Sequence, residues 1–148
     1  MAQQIAWLTL GDLHGAQGAL SAAQRAYQQV IALTPEPNAP ARLMAQAGLA
    51  TLRLVHEDAA AALTALEALL PAFDPERFDI IFTAQRFLLA AYQILAANQD
   101  ARAAGILQQA WQLVTTSAAR ISDPRLRQSY LTQVPVHRTI GQLIDAQR

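Results

Sequence analysis

Residues 4–37 read QIAWLTLGDLHGAQGALSAAQRAYQQVIALTPEP, and they decide the fold. Gly15 and Gly18 divide the stretch into two segments rich in alanine and leucine. The second segment, about 19–33, carries apolar residues at the i, i+3, i+4, i+7 spacing of a helix with one apolar face. Pro35 ends it, because proline cannot continue a helix. The stretch therefore predicts two antiparallel helices joined by a short turn.

Seven residues of this stretch fall at the spacing of a tetratricopeptide repeat, which they resemble: Trp7, Leu10, Gly11, Gly18, Ala23, Tyr27 and Pro35. We expect Trp7 and Tyr27 to fill the space between the paired helices. Gly11 and Ala23 have small side chains or none, so we expect them to let the backbones approach closely.

A weaker copy of the pattern follows. A shift of 36 residues carries Ala23 to Ala59, and a further step of 44 residues reaches Ala103, so the period drifts. We predict an all-α fold, a tetratricopeptide-like solenoid of about three helix pairs with a C-terminal helical cap. One domain, 1–148, then contains repeat-like units at about 4–37, 40–73 and 75–119 and a cap at 123–147. The alternative is a helical bundle without repeats, in which the frequent alanines match by chance.

Two Asp-Pro pairs predict helix starts, since aspartate caps a helix N-terminus and proline suits its first position. Asp74-Pro75 predicts a long fifth helix to about residue 97, and Asp123-Pro124 predicts a short seventh helix. A sixth helix is expected from about residue 101. The fifth helix is expected to include three large apolar residues near its start: Phe78, Ile81 and Phe82.

Composition excludes several classes of chemistry. The 148 residues include 11 basic and 11 acidic side chains, no cysteine and no lysine. The absence of cysteine excludes a disulfide framework, an iron–sulfur cluster and a thiol nucleophile. The absence of lysine excludes a Walker-type phosphate loop and a Schiff-base enzyme. A formal charge of zero argues against a nucleic-acid partner. Because apolar runs stay below the roughly 18 residues of a membrane span, we predict no membrane partner either.

Candidate metal and catalytic residues do not form a recognisable pattern. His14, His56 and His137 lack the i, i+3 or i, i+4 partners that two metal ligands on one helix require. We therefore predict no enzyme activity, no metal and no cofactor. The N-terminus lacks the basic residues of a signal peptide, which predicts a cytoplasmic protein. Five arginines lie beyond residue 119, where they could contact phosphate or, as we favour, pair with Asp123 and with helix carbonyls.

The last third of the chain resembles a known family. Its ending is DPRLRQSYL at 123–131 followed by VPVHR at 134–138. It is similar to the C-terminal helical-repeat regions of large multidomain bacterial signalling proteins, which carry ATPase, transcriptional-activator or nucleotide-cyclase domains. The resemblance implies a role in signal transduction or transcription regulation, without the activities of the domains that these 148 residues lack. We expect His137 and Arg138 to bond carbonyls of the preceding turn and the ending to close the solenoid.

The first helix has no such cover. Ile5, Trp7 and Leu8 make it apolar from its start, as in a helix that packs against a preceding repeat. We therefore expect either the C-terminal end of a longer array or a homodimer formed through this helix.

The predicted function is a non-catalytic scaffold that binds a protein or peptide segment, or an attached regulatory domain. The concave surface of a solenoid is formed by the first helix of each pair. Polar or exposed apolar positions on those helices give the candidate binding residues: Leu8, Asp12, Arg42, Gln46, Gln85, Arg86 and Gln93. The alternative is a small-molecule sensor, which a deep pocket lined by Phe78, Phe82 and Tyr92 would favour.

Overall fold

The computed structural model describes residues 1–79 and 82–148, which form eight α-helices and no strand. The helices are α1 (Ala2–Ala16), α2 (Leu20–Leu33), α3 (Pro40–Val55), α4 (Ala59–Leu69), α5 (Ala84–Ala97), α6 (Ala103–Ala119), α7 (Pro124–Thr132) and α8 (Pro135–Ala146). Two 3-10 turns, Leu70–Ala72 and Pro75–Arg77, lie between α4 and α5. The predicted all-α class is confirmed.

Aspartate side chains cap two of the helices. The Oδ1 atom of Asp58 accepts a hydrogen bond from the Ala61 N–H at 3.0 Å, and that of Asp123 accepts from the Arg125 N–H at 2.8 Å. Each bond satisfies an N–H that has no partner within its own helix. The start predicted for the seventh helix at Asp123 is therefore confirmed.

The prediction for the first part of the fifth helix is wrong. Pro75–Arg77 makes only a 3-10 turn, and α5 begins at Ala84. The reason is tertiary packing on either side of the turn. Phe73 and Phe78 pack against Phe87, with ring centroids 4.6 and 6.2 Å from its ring, and these contacts favour a bent path over a continuous helix.

The structure differs from two further predictions, for the position of Phe82 and for the start of the sixth helix. Phe82 precedes α5 and is buried in the core, and Ile81 lies outside the described residues. The sixth helix begins at Ala103, two residues later than predicted.

Each helix packs against the next one along the chain, and α3 also contacts α1 and α5. At the C-terminal end, α8 folds back onto α6 and α5. This order agrees with stacked helix pairs, while the tetratricopeptide-like solenoid itself stays a prediction.

Tyr27, and not Trp7, fills the space between the first helices. A Cβ on Gly11 or Gly48 would come within 2.5 or 2.6 Å of the Tyr27 ring, so both glycines make room for it. The expected close approach at Gly11 is thus present. Trp7 is 36% exposed, because the neighbouring Leu8 takes the inward position on α1. The prediction that Trp7 fills this space is wrong.

The C-terminal end of α2 is bonded to both flanking helices. Gln4 of α1 donates from Nε2 to the Thr34 hydroxyl at 2.9 Å and to the Leu33 carbonyl at 3.4 Å. Arg42 of α3 donates from Nη1 to the Ile31 carbonyl at 3.0 Å and to the Thr34 carbonyl at 2.9 Å. These bonds satisfy helix-terminal carbonyls that would otherwise lack partners.

Candidate partner-binding surface

A cleft of about 270 Å³ lies between α1, α3 and α5, the first helices of the three predicted pairs. We call it the inner cleft. The polar residues of its lining are Asp12, Tyr27, Thr51, Arg86 and Gln93.

An ion pair and a hydrogen bond connect three helices in the inner cleft. The Tyr27 hydroxyl donates to Asp12 Oδ1 at 2.7 Å, and the Arg86 guanidinium pairs with Asp12 Oδ2. Burial raises the pKa of Tyr27 to about 12, so its hydroxyl keeps its proton at neutral pH. Burial also lowers the pKa of Arg86, yet an arginine stays charged at neutral pH. The pair places opposite charges side by side in an open cleft.

Three of the predicted binding residues, Asp12, Arg86 and Gln93, lie together in the inner cleft. Leu8 does not, because it is 4% exposed and packs in the core, which corrects its assignment as an exposed apolar position. Gln85 is 8% exposed and lines a different cavity.

The two predicted residues on α3 also lie away from the cleft lining. Arg42 is bonded to the end of α2, which gives it a structural role. Gln46 is half-buried and is not part of the cleft lining.

Sequence reasoning assigned Tyr27 to packing alone and missed Thr51. The Tyr27 ring packs between helices as predicted, while its hydroxyl reaches the cleft. Nothing in the repeat spacing signals that second role, since it depends on Asp12 lying opposite.

A larger cavity of about 880 Å³ adjoins the inner cleft, and Arg86 and Val136 line both. We call it the α5–α8 groove, after the helices that flank it. Gln85 and His137 lie in its lining and are both buried, with Gln85 Nε2 3.3 Å from His137 Nε2. His137 Nδ1 lies 2.9 Å from the Tyr130 carbonyl oxygen, which confirms the bond expected of His137. The same expectation for Arg138 is wrong, because Arg138 is exposed and its side chain bonds no carbonyl of the described residues.

The outer face of α1 carries an apolar stripe. Trp7, Leu10 and Leu13 lie three residues apart, so they share one face of the helix, and they are 36%, 38% and 50% exposed. We call these three residues the α1 stripe. It has no charged side chain.

The three aromatic residues named for a sensing pocket do not line one cavity together. Phe78 lines the α5–α8 groove and packs with tilted rings against Phe73 and Phe87. Phe82 is buried in the core and Tyr92 packs against the core, and neither lines the inner cleft or the α5–α8 groove. This arrangement gives the small-molecule alternative no support.

Across residues 1–79 and 82–148, no group of three or more histidine, cysteine, aspartate or glutamate side chains is placed to hold a metal ion. In the same residues, every helix is too short or too polar to cross a bilayer.

The fold defines the chain as an all-α protein built from short, sequentially packed helices. No protein-family model, curated protein or solved structure matches it. The resemblance of its C-terminal third to bacterial signalling proteins therefore stays a prediction.

Proposed function

We propose that this chain is a non-catalytic interaction module that binds an extended segment of a partner protein along the inner cleft and the α5–α8 groove. The observation that carries the proposal is the convergence of Asp12, Arg86 and Gln93 from two helices in one open cleft. Small sites that fix a ligand combine an apolar lining with a few convergent polar groups, as this cleft does. The two cavities adjoin at Arg86, so together they suit an elongated ligand better than a compact one.

The resemblance of residues 123–138 to the endings of bacterial signalling proteins supports a regulatory context. We propose that the bound segment belongs to a signalling or transcription-regulating protein, or to a regulatory domain attached to this chain. Binding without chemistry is consistent with the absence of a catalytic constellation from the sequence.

A peptide selection tests this proposal. Peptides selected from a random-sequence library against the full chain are titrated into the wild type and into Arg86→Ala and Gln93→Ala, with fluorescence anisotropy as the readout. We expect each substitution to weaken binding about five- to tenfold, as the loss of one or two hydrogen bonds would. Gln108→Ala, at an exposed position of α6, is the control and should bind like the wild type. Equal affinity of all four proteins would contradict the proposal.

We also propose that a second copy of the chain covers the α1 stripe. A contiguous row with a tryptophan at one end is typical of protein contacts, because buried tryptophan contributes strongly to binding. The stripe carries no charge, so two copies related by twofold symmetry would bring no like charges together. The contact is one helix wide, so we expect a weak dimer with less than the roughly 800 Å² per partner of a standard interface.

A further inference from the structure

The geometry points to a recognition site in the α5–α8 groove, where the side-chain carbonyl oxygen of Gln85 accepts a hydrogen bond from a main-chain N–H of the bound segment. This inference rests on the proposed function, and it adds which chemical group of the bound segment the groove recognises.

The contacts of Gln85 and His137 define their hydrogen-bonding roles. The Tyr130 carbonyl can only accept a hydrogen bond, so the His137 nitrogen 2.9 Å from it, Nδ1, donates. The Gln85 atom 3.3 Å from His137 Nε2 is the amide nitrogen, which can only donate, so His137 Nε2 is the acceptor of this contact. Gln85 therefore directs its amide NH₂ group toward His137. His137 acts as a positioning residue for Gln85.

This orientation leaves the Gln85 carbonyl oxygen without a donor in the described part of the chain. Every fully buried side-chain nitrogen or oxygen among the described residues has a partner. The Gln85 oxygen therefore reaches accessible space, and the cavity that Gln85 lines is the α5–α8 groove. An acceptor on a side chain that is only 8% exposed is costly to leave unpaired, so it favours a ligand that donates a proton there.

The donor to the Gln85 oxygen can be a neutral group. The charged side chains of the groove lining are Arg86, Arg120, Glu76 and Asp79, and Arg86 is in addition paired with Asp12. A peptide N–H can donate to the Gln85 oxygen without needing any of these charges as a partner. The groove adjoins the inner cleft, so one extended segment can reach both.

Single-atom changes in a peptide test the inference. The tightest peptide from the library selection is remade as a series in which each main-chain amide in turn becomes an ester, which removes one N–H and changes little else. We expect one ester to weaken binding to the wild type about five- to tenfold. The same ester should cost Gln85→Leu little, because the acceptor is already gone, so the two losses are not additive. Gln85→Glu keeps acceptor oxygens at this position and should keep the sensitivity to that ester.

The outcomes separate this inference from the proposed function. Peptides that depend on Arg86 and Gln93 but show the same ester profile with the wild type and with Gln85→Leu would overturn the inference and leave the proposed function standing. Failure of the library to give any binder at these cavities would overturn both. If Gln85→Leu does not fold, the side-chain carbonyl ¹³C signal of Gln85 decides. It should shift with the parent peptide and not with the ester, and an equal shift with both would overturn the inference.

Discussion

The helices at the two ends of the chain, α8 and α1, differ in the polarity of their outer faces. At the C-terminal end α8 buries Ile140 and Ile144 beneath its inner face and presents arginine, glutamine and aspartate outward. At the N-terminal end α1 buries Leu8 inward and still presents apolar residues outward, the α1 stripe. The difference teaches that a similar buried face can be backed by two different outer faces. The outer face of α8 is polar, whereas that of α1 is apolar.

The sharpest test of this comparison is a matched truncation at the two ends. Ile140→Ala removes a fully buried side chain from α8 and should lower the free energy of unfolding by about 2–5 kcal/mol. Leu13→Ala on α1 should change it by about 0.5 kcal/mol or less, since Leu13 is 50% exposed. Urea denaturation measures both, at a protein concentration where the chain is monomeric. Similar losses would mean that the chain itself covers Leu13 or that α8 is loosely held.

Substitution of one glycine in each half of the chain tests how tightly α3 and α6 are packed at these positions. Gly48→Ala would place a Cβ 2.6 Å from the Tyr27 ring, whose room to shift is limited because Gly11 also approaches it closely. We expect a net loss of about 1–2 kcal/mol, since crowding outweighs the gain in helix propensity. Gly105→Ala on α6 meets no atom within 4 Å and should stabilise the protein by about 0.5–1 kcal/mol. Thermal unfolding should therefore give shifts of opposite sign, and shifts of the same sign would contradict this packing.

Measurement of self-association tests directly whether a second copy covers the α1 stripe. Sedimentation equilibrium of the wild type should detect a dimer whose fraction rises with concentration. The double change of Leu10→Glu and Leu13→Glu should weaken that dimer at least about tenfold, because charges from both copies would meet in an apolar contact. Leu126→Glu is the control, since Leu126 is 61% exposed but lies on α7 away from the stripe. A wild type that stays monomeric at high concentration would rule out the second copy as the partner.

The smallest expected effect concerns the cap of α7. Asp123→Ala removes the hydrogen bond to the Arg125 N–H and should cost about 1 kcal/mol. The helix at the other end, α1, has no side-chain cap to lose. Asp145→Ala, at an exposed position near the end of α8, is the control and should stay within about 0.5 kcal/mol. Equal effects of the two substitutions in chemical denaturation would show that the cap contributes nothing.

Local signals in the sequence predicted most helices and failed where distant contacts decide. The Asp123-Pro124 pair and the helical spacing of 19–33 each describe interactions within a few residues, so they transfer directly to the structure. Asp74-Pro75 carries the same local signal, but aromatic packing on Phe87, supplied from farther along the chain, favours a turn there. Fold class was therefore predictable from the sequence, and the start of α5 was not.

The candidate site was predictable only in part for the same reason. Choosing polar positions on first helices found Asp12, Arg86 and Gln93. It also selected Leu8, whose burial depends on the rotation of α1 about its axis. The link from Gln85 to His137 joins residues far apart in the chain, and no spacing rule predicts it.

The bonded end of α2 has a mechanical consequence. Four hydrogen bonds from Gln4 and Arg42 converge on the last turn of α2 and on Thr34, so a rotation of α1 against α3 must break bonds on one side or the other. A force applied to α1 is thus transmitted to α3, one wall of the inner cleft, through these hydrogen bonds. We therefore expect α1, α2 and α3 to move as one rigid unit under such a force. The contacts between α3 and the helices that follow it should break first.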